Sequence, residues 1–274
     1  MYAAGNFEAS RGSSLYCCSW NVADAGYNVI IVHGYREHCN RYASVAAFLN
    51  DGGYNVYSYD QRWHGHSPGK RGYIERFDTL IDDLDAYIKH LEPELGDRPT
   101  FVVAHSMGGL VFTRFLESRI WRPRAAVFSG PFLQVEKVSP VLLALAGFLS
   151  AWLPWVPVAS LDSKAVSRDA AVVKDYEEDP LNGTGPIVAR AGAEISAAVE
   201  RARSEMKKID LPVYILHGGE DRLAPPAASQ YLYDHISSRD KTLRIYENGY
   251  HESFNDLDRD QVLREMRDWL DAHR

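Results

Sequence analysis

Ser106 stands in Ala104-His105-Ser106-Met107-Gly108-Gly109, with an apolar run from Phe101 before it and a helical pattern from Met107 after it. A strand, then x-Ser-x-Gly, then a helix is the arrangement of a nucleophile elbow, where a sharp strained turn exposes a serine hydroxyl. The turn needs small residues two positions to either side. Gly108 meets this on the helix side, and Ala104 on the strand side is one methyl larger than the glycine of the motif. The first N–H groups of the helix point at any anion formed beside the serine. A serine that only caps a buried helix would leave the same short trace. The strand before it and the helix after it favour the elbow.

A serine hydroxyl is a weak nucleophile without a base. On this architecture the partners follow in the order Ser, Asp or Glu, His, each in a loop behind a strand. A strand pattern ends at His217, and Asp221 lies in the loop behind it. Another ends near Tyr246, and His251 lies behind that one. Asp221 would hold the imidazole and stabilise its cation. Glu220 is its rival; Asp256 and Asp258 follow His251 and break the order. The loop after the strand Asn28–Val32 offers the backbone N–H of Tyr35, which with that of Met107 would make an oxyanion hole. His33 and His105 are expected as structural histidines. His64 and His66 are spaced like a ligand pair, but no carboxylate or thiolate is placed to complete a site, so neither a metal nor an organic cofactor is expected.

These residues need a scaffold, and the rest of the chain supplies its pattern. Apolar, β-branched-rich runs begin at Tyr27, Tyr54, Thr100, Ala125, Leu211 and Lys241. Most are nearly continuous, as strands buried on both faces are. Helical patterns fall between them, at Arg41 to Leu49, Phe77 to Leu91, Met107 to Leu116, Ala227 to Ile236 and Gln261 to Leu270. Alternation of this kind predicts a mainly parallel, doubly wound sheet with helices on both faces. The segment GSSLYCCSW near the start adds an antiparallel edge hairpin. The alternation stops after Pro131 and resumes at Leu211, a span far beyond an ordinary connection. We therefore divide the chain into a first core part, 1–130, a mostly helical cap, 131–209, and a second core part, 210–274. The cap would cover the C-terminal edge of the sheet, where ligands bind in open α/β folds.

The 274 residues carry a formal charge of −7, which argues against a nucleic-acid surface. No phosphate-binding glycine loop, zinc spacing or EF-hand loop is present. Cys17, Cys18 and Cys39 form no disulfide framework, and the first 20 residues lack the pattern of a secretory signal, so a cytoplasmic location is expected. Residues 138–161 are uncharged and long enough to span a bilayer, but Pro140, Pro154 and Pro157 interrupt them. We read them as a covering segment of the cap.

Several motifs resemble one family. VHGYREHCNRY is similar to a His-Gly-x-x-Glu-His-x-x-Arg-Tyr signature, and DQRWHGHSPGKRGYIERFDTLIDDL to an Asp-x-Arg-Gly-His-Gly-x-Ser loop followed by Gly-x-Arg-Gly and a Phe-x-x-x-x-x-Asp-Leu helix. AHSMGG is similar to Gly-His-Ser-Met-Gly-Gly, and HGGEDRLAPP to a His-Gly-x-x-Asp acid loop. Together they resemble the monoacylglycerol lipase and lysophospholipase group of α/β-hydrolases, also grouped as serine aminopeptidase-like hydrolases. The resemblance covers most of the chain apart from the cap. It implies an α/β-hydrolase fold, Ser106 as nucleophile, Asp221 as acid, His251 as base, and Tyr35 and Met107 as oxyanion donors. It further implies that Glu37, Arg41, Asp60 and Arg62 are structural polar residues around the site. Two positions depart from the family: Trp63 and Ala104 stand where it has glycine.

The reading is a serine hydrolase of carboxylic esters with an apolar acyl chain, monoacylglycerols first, lysophospholipids or simple carboxylesters next. An aminopeptidase or amidase, with Glu177 or Glu178 meeting a free amine, is less favoured. So is a non-catalytic ligand-binding protein. Between Val141 and Leu153 the only polar side chain is Ser150. A segment apolar nearly all round must face apolar matter on several sides. Leu145, Phe148 and Trp152 are therefore expected to line an acyl tunnel on one face, with contact to a micelle or membrane surface on the other.

Overall fold

The chain begins with a hairpin, β1 (Tyr2–Glu8) and β2 (Ser14–Trp20), paired antiparallel from Tyr2 opposite Trp20 to Glu8 opposite Ser14. Strands and helices then alternate: β3 (Tyr27–Val32), α1 (Ala43–Asn50), β4 (Tyr54–Tyr59), α2 (Phe77–Leu95), β5 (Thr100–His105), α3 (Met107–Ser118) and β6 (Ala125–Ser129). The computed structural model describes residues 1–134 and 150–274. Beyond residue 150 come β7 (Pro157–Ser160), α4 (Ala170–Glu178), β8 (Pro186–Val188) and α5 (Ala189–Glu205). The chain closes with β9 (Val213–Gly218), α6 (Ala227–His235), β10 (Lys241–Tyr246) and α7 (Arg259–Ala272).

Among the described residues one sheet has eight strands in the order β1-β2-β4-β3-β5-β6-β9-β10. Every pairing from β4 to β10 is parallel, and only the hairpin and its junction with β4 are antiparallel. The apolar continuity of the strands has a geometric cause. Successive side chains point to opposite faces. In β5, Val102 and Ala104 join the core beneath α2, α3, α5 and α6, while Phe101 and Val103 join the core beneath α1 and α7. Both faces are covered, so neither parity can be polar.

The segment between β6 and β9 contains an element that periodicity did not reveal. β7 and β8 form a two-stranded antiparallel ribbon with a register slip between Pro157 and Ala159. A proline begins each strand, a position where a missing N–H costs no ladder bond. Each strand is too short to show a period. α5 is a long helix of the segment expected to be mostly helical, and a 3-10 turn at Met206–Lys208 follows it. It buries Ala191, Ile195, Ala198, Val199 and Ala202 in the same core as α2 and α3, so it is packed onto those two helices. Among the described residues no helix is long and apolar enough to cross a membrane.

One ion pair joins three parts of the first half. Arg62, just past β4, donates from Nε and Nη2 to the two Asp83 carboxylate oxygens on α2, both at 2.8 Å. It also donates to the Ser10 carbonyl at 2.8 Å and to the Ser13 hydroxyl in the β1–β2 turn. The Ser10 backbone N–H donates to Asp83 Oδ1 at 3.1 Å. Asp83 is fully buried. Removing one partner of a buried pair strands the other's charge, at about 3 kcal/mol or more. Arg62→Ala should lower unfolding stability by that amount in urea titrations. The double variant R62M/D83L should lose clearly less, because it leaves no unpaired charge.

Candidate active site

Ser106 follows the last residue of β5 and takes φ 51° and ψ −119°, the strained turn that the motif requires. It occupies the N-cap position of α3, yet its hydroxyl makes no capping bond. The hydroxyl is instead 2.9 Å from His251 Nε2. A serine serving only as a cap would be hydrogen-bonded to its own helix. The backbone around Ser106 is held firmly: its N–H donates to the Ser129 carbonyl at 2.9 Å, and its carbonyl accepts from Phe132 N at 3.0 Å. Gly108 is needed because a Cβ there would collide with the carbonyl oxygens of Val32 and His33 at the end of β3. Ala104 is wholly buried in the core, so the extra methyl at that position is accommodated.

The other two groups arrive from loops behind β9 and β10. His251 Nδ1 donates to Asp221 Oδ2 at 2.7 Å, which leaves Nε2 to accept from Ser106. Asp221 Oδ1 accepts from the backbone N–H groups of Leu223 and Ala224 at 2.8 and 2.9 Å. Burial would raise the Asp221 carboxyl, but the charges and hydrogen bonds of His251 and His217 overcome it and hold the group well below the usual carboxylate range. Burial likewise opposes protonation of His251, and the Asp221 charge overrides it, so the imidazole sits above its ordinary 6.5. Glu220, the rival acid, is exposed.

Tyr35 and Met107 line the same cavity as Ser106 and His251, a space of about 300 Å³. Met107 is the first residue of α3, so its N–H has no acceptor within the helix. Tyr35 lies on a loop fixed from below. Glu37 accepts from the Gly34 N–H, from Tyr42 at 2.8 Å and from Arg41 at 3.0 Å. Arg41 grips Glu252, the neighbour of His251, at 2.6 and 2.7 Å. The loops carrying Tyr35 and His251 are thus tied by one buried guanidinium. Arg36 adopts φ 63° and donates to the carbonyls of Gly185 and Pro186 beyond α4, while its own carbonyl accepts from Gly183 N at 2.9 Å. The cavity's apolar lining comes from Phe132, Leu161, Val166, Ile187, Ile195 and Leu223.

The remaining expectations sort clearly. Leu145 and Phe148 lie outside the described residues. Trp152 is 74% exposed and is not among the described residues that line the cavity, so the structure does not bring it to the site. Its place in the lining is taken by Ile187 and Ile195, from the ribbon and helix that follow it. His33 is buried, with Nδ1 donating to the Gly34 carbonyl at 2.8 Å and Nε2 accepting from Gln61 N at 2.9 Å. Burial drops its pKa to about 4. His105 donates from Nδ1 to the Ser129 carbonyl at 3.0 Å, and its ring lies 4.8 Å from that of His251. His64 packs on His33 and Tyr35, and His66 on Tyr16. Asp60 accepts from the backbone N–H groups of Cys39 and His66. Trp63 takes φ 68°, a backbone region that favours glycine, and Gly69 leaves room for its ring. Glu252 and His217 escaped sequence reasoning. His217 is the histidine of the acid-loop motif but receives no role there, and the only trace of Glu252 was its place beside His251.

Comparison with known proteins supplies an independent line. A family model, "Serine aminopeptidase, S33", matches residues 24–258. The chain is 34% identical over 246 residues to a monoacylglycerol lipase of Mycolicibacterium smegmatis, covering 89% of this chain and 88% of that one. It is 30% identical to a monoglyceride lipase of Mus musculus, covering 96% and 88%. The crystal structure of Paleococcus ferrophilus monoacylglycerol lipase superposes with a TM-score of 0.83 at 33% identity, covering 95% of this chain and 99% of that one. A soluble variant of monoglyceride lipase from Saccharomyces cerevisiae, solved with a substrate analog, gives 0.84 at 22% identity, covering 97% and 94%. With the strand order above, these likenesses show an α/β-hydrolase fold.

The Arg41–Glu252 pair generates a pH prediction. Burial would raise the Glu252 carboxyl, but Arg41 holds it below its ordinary 4.5. A folded-state pKa below the unfolded value contributes stability that is complete above the unfolded pKa and is lost as pH falls through the folded one. Glu252→Gln should therefore be less stable than the wild-type chain at pH 7. In urea titrations repeated from pH 7 to pH 3, the difference between the two should shrink below about pH 4.5.

Proposed function

The chain belongs to the serine aminopeptidase S33 family of hydrolases, and from that premise we propose that it hydrolyses carboxylic esters of apolar acyl chains, monoacylglycerols foremost, with Ser106, His251 and Asp221 as the catalytic triad. What carries the reading is the unbroken chain from Ser106 Oγ to His251 to Asp221, at 2.9 and 2.7 Å, between groups 145 and 30 residues apart in sequence.

Ser106 Oγ attacks the ester carbonyl carbon as its proton passes to His251 Nε2. The carbonyl electrons move to oxygen, and the resulting oxyanion is held by the N–H groups of Tyr35 and Met107. Asp221 remains ionised and stabilises the imidazolium. The tetrahedral species collapses, the C–O bond to the alcohol breaks, and the imidazolium proton goes to the departing oxygen. Water, deprotonated by His251, then attacks the acyl-serine, and the second collapse returns the proton to Ser106 and frees the acid.

The apolar lining supports an acyl chain as the recognised portion, since each buried CH₂ is worth about 0.8 kcal/mol. Glu177 also lines the cavity. It is the feature that keeps an amine-bearing substrate as the second reading. The exposed side chains of Trp152, Leu153, Trp155 and Val158 support contact of the cap with a micelle or membrane surface. The three free cysteines support a reducing, cytoplasmic setting. In this reading residues 131–209 form the cap, and α5 is its foot on the core.

Ser106→Ala should remove nearly all hydrolysis, by on the order of 10⁶ in kcat, and an organophosphonate should label the wild-type chain at this serine alone. Asp221→Asn should cost roughly 10⁴ in rate, by favouring the wrong imidazole tautomer. Glu220→Gln should be nearly silent; the reverse ranking would misplace the acid. Because His251 is raised above 6.5 and acts as a base when neutral, kcat/KM should fall on the acid side with a midpoint above pH 6.5. Ile187→Asp should depress kcat/KM for long-chain monoacylglycerols far more than for a butyrate ester. A panel that also holds triacylglycerols, lysophospholipids and aminoacyl amides separates the substrate readings.

A further inference from the structure

Asp221 Oδ2 faces a second imidazole. His217, the penultimate residue of β9, has no exposed surface. Its Nε2 lies 3.0 Å from Asp221 Oδ2 and 3.0 Å from the Ala224 carbonyl oxygen. Both neighbours are acceptors, so Nε2 must carry the proton. Nδ1 is then a lone pair, and the Ser229 hydroxyl, 2.7 Å away at the start of α6, donates to it. The tautomer is fixed from both ends. Asp221 thus receives four N–H groups: two from backbone on Oδ1, and two from imidazoles on Oδ2.

We infer that His217, locked by Ser229, is a positioning residue for the reaction: it fixes the Asp221 rotamer and shares Oδ2 with His251, so that it sets how strongly Asp221 attracts the His251 proton. The inference rests on the assignment of Ser106, His251 and Asp221 given above. A hydrogen bond to a carboxylate stabilises its charge. A carboxylate relieved of the His217 bond is a stronger acceptor for His251 and holds the imidazolium more tightly. His251 then needs a higher pH to become the neutral base. The other groups around this pair are accounted for. Glu252 and Glu37 raise His251 and are themselves held by Arg41, while His105 packs against the His251 ring. On the acid loop Glu220 is exposed, and Arg222 is turned to the Tyr250 hydroxyl. Among the described residues the only imidazoles bonded to the Asp221 carboxylate are His217 and His251.

The test is a pH profile of kcat/KM on a soluble short-chain ester for wild type, His217→Phe, His217→Gln and Ser229→Ala. His217→Phe should move the acid limb upward by roughly half a unit or more, with a fall in kcat at unchanged KM. Ser229→Ala, a smaller change that keeps the imidazole, should move the limb in the same direction by less. In His217→Gln the side-chain amide can still donate to Oδ2, and the limb should return toward wild type. The proton signal of the His251 Nδ1–H···Asp221 bond, read by NMR, should shift in His217→Phe and Ser229→Ala, which reports the effect even where activity is low. An unmoved limb and an unmoved signal in both of these folded variants would overturn the inference. Ser106→Ala and Asp221→Asn are run beside them: if those stay active, it is the triad assignment that has failed, and not the role of His217 alone.

Discussion

The approach of α3 to the end of β3 is the constraint on which the site depends. The first turn of the helix presses against the carbonyl oxygens of Val32 and His33, so closely that position 108 has room for a hydrogen and nothing larger. That contact fixes where the helix begins, and the helix start fixes the turn at Ser106. Ser106 bears a left-handed backbone that costs on the order of 1–3 kcal/mol and persists only where the surroundings over-determine it. The strain places Oγ beyond the sheet edge, away from its own helix, and puts the Met107 N–H beside it. The loop after β3 leaves the same contact and brings Tyr35 to the wall of the same cavity.

Around this turn the electrostatics are arranged in closed groups rather than as scattered charges. Glu37, Arg41 and Glu252 form a buried set in which each charge has a partner. Asp221 is buried with four N–H groups on its two oxygens. Isolated charges in such a place would shift toward neutrality. Because each is satisfied, Asp221 stays ionised next to His251. His33 and His105 are kept neutral by the same burial that serves the packing, so they add no competing charge near Ser106.

Much of this was legible in the sequence. The fold followed from the spacing of strand and helix patterns, since parallel strands covered on both faces leave a continuous apolar signature. The order of Ser106, Asp221 and His251 along the chain, each behind a strand, was enough to assemble them. What escaped had physical reasons. The ribbon of β7 and β8 is too short for a period. Glu252 acts through Arg41, a contact between loops that meet only in the folded chain, and His217 bonds Asp221 and Ser229 across the turn from β9 to α6, which no periodicity marks. Composition suggests Trp152 for the lining of an acyl tunnel, yet it is exposed, because hydrophobicity does not say which side of a covering segment faces out. Trp63, a departure from the family motif, proves compatible with it: the indole keeps the left-handed turn, and Gly69 makes room for the ring.

Arg36 bears on how such proteins can be recombined. Its backbone belongs to the loop that carries Tyr35, and its side chain ends on the carbonyls of Gly185 and Pro186 in the intervening segment. Gly72 and Gly183 leave the space through which that side chain runs. Two stretches about 150 residues apart in sequence are therefore joined through one side chain. A chimera that imports a relative's cap while retaining residues 34–37 would leave a buried guanidinium facing a foreign backbone. One that transfers residues 34–37, Gly72 and residues 183–186 as a set keeps the donor and its acceptors together. The seam for exchanging the segment between β6 and β9 therefore runs through the loop after β3, beside Ser106, and not only along the ends of that segment.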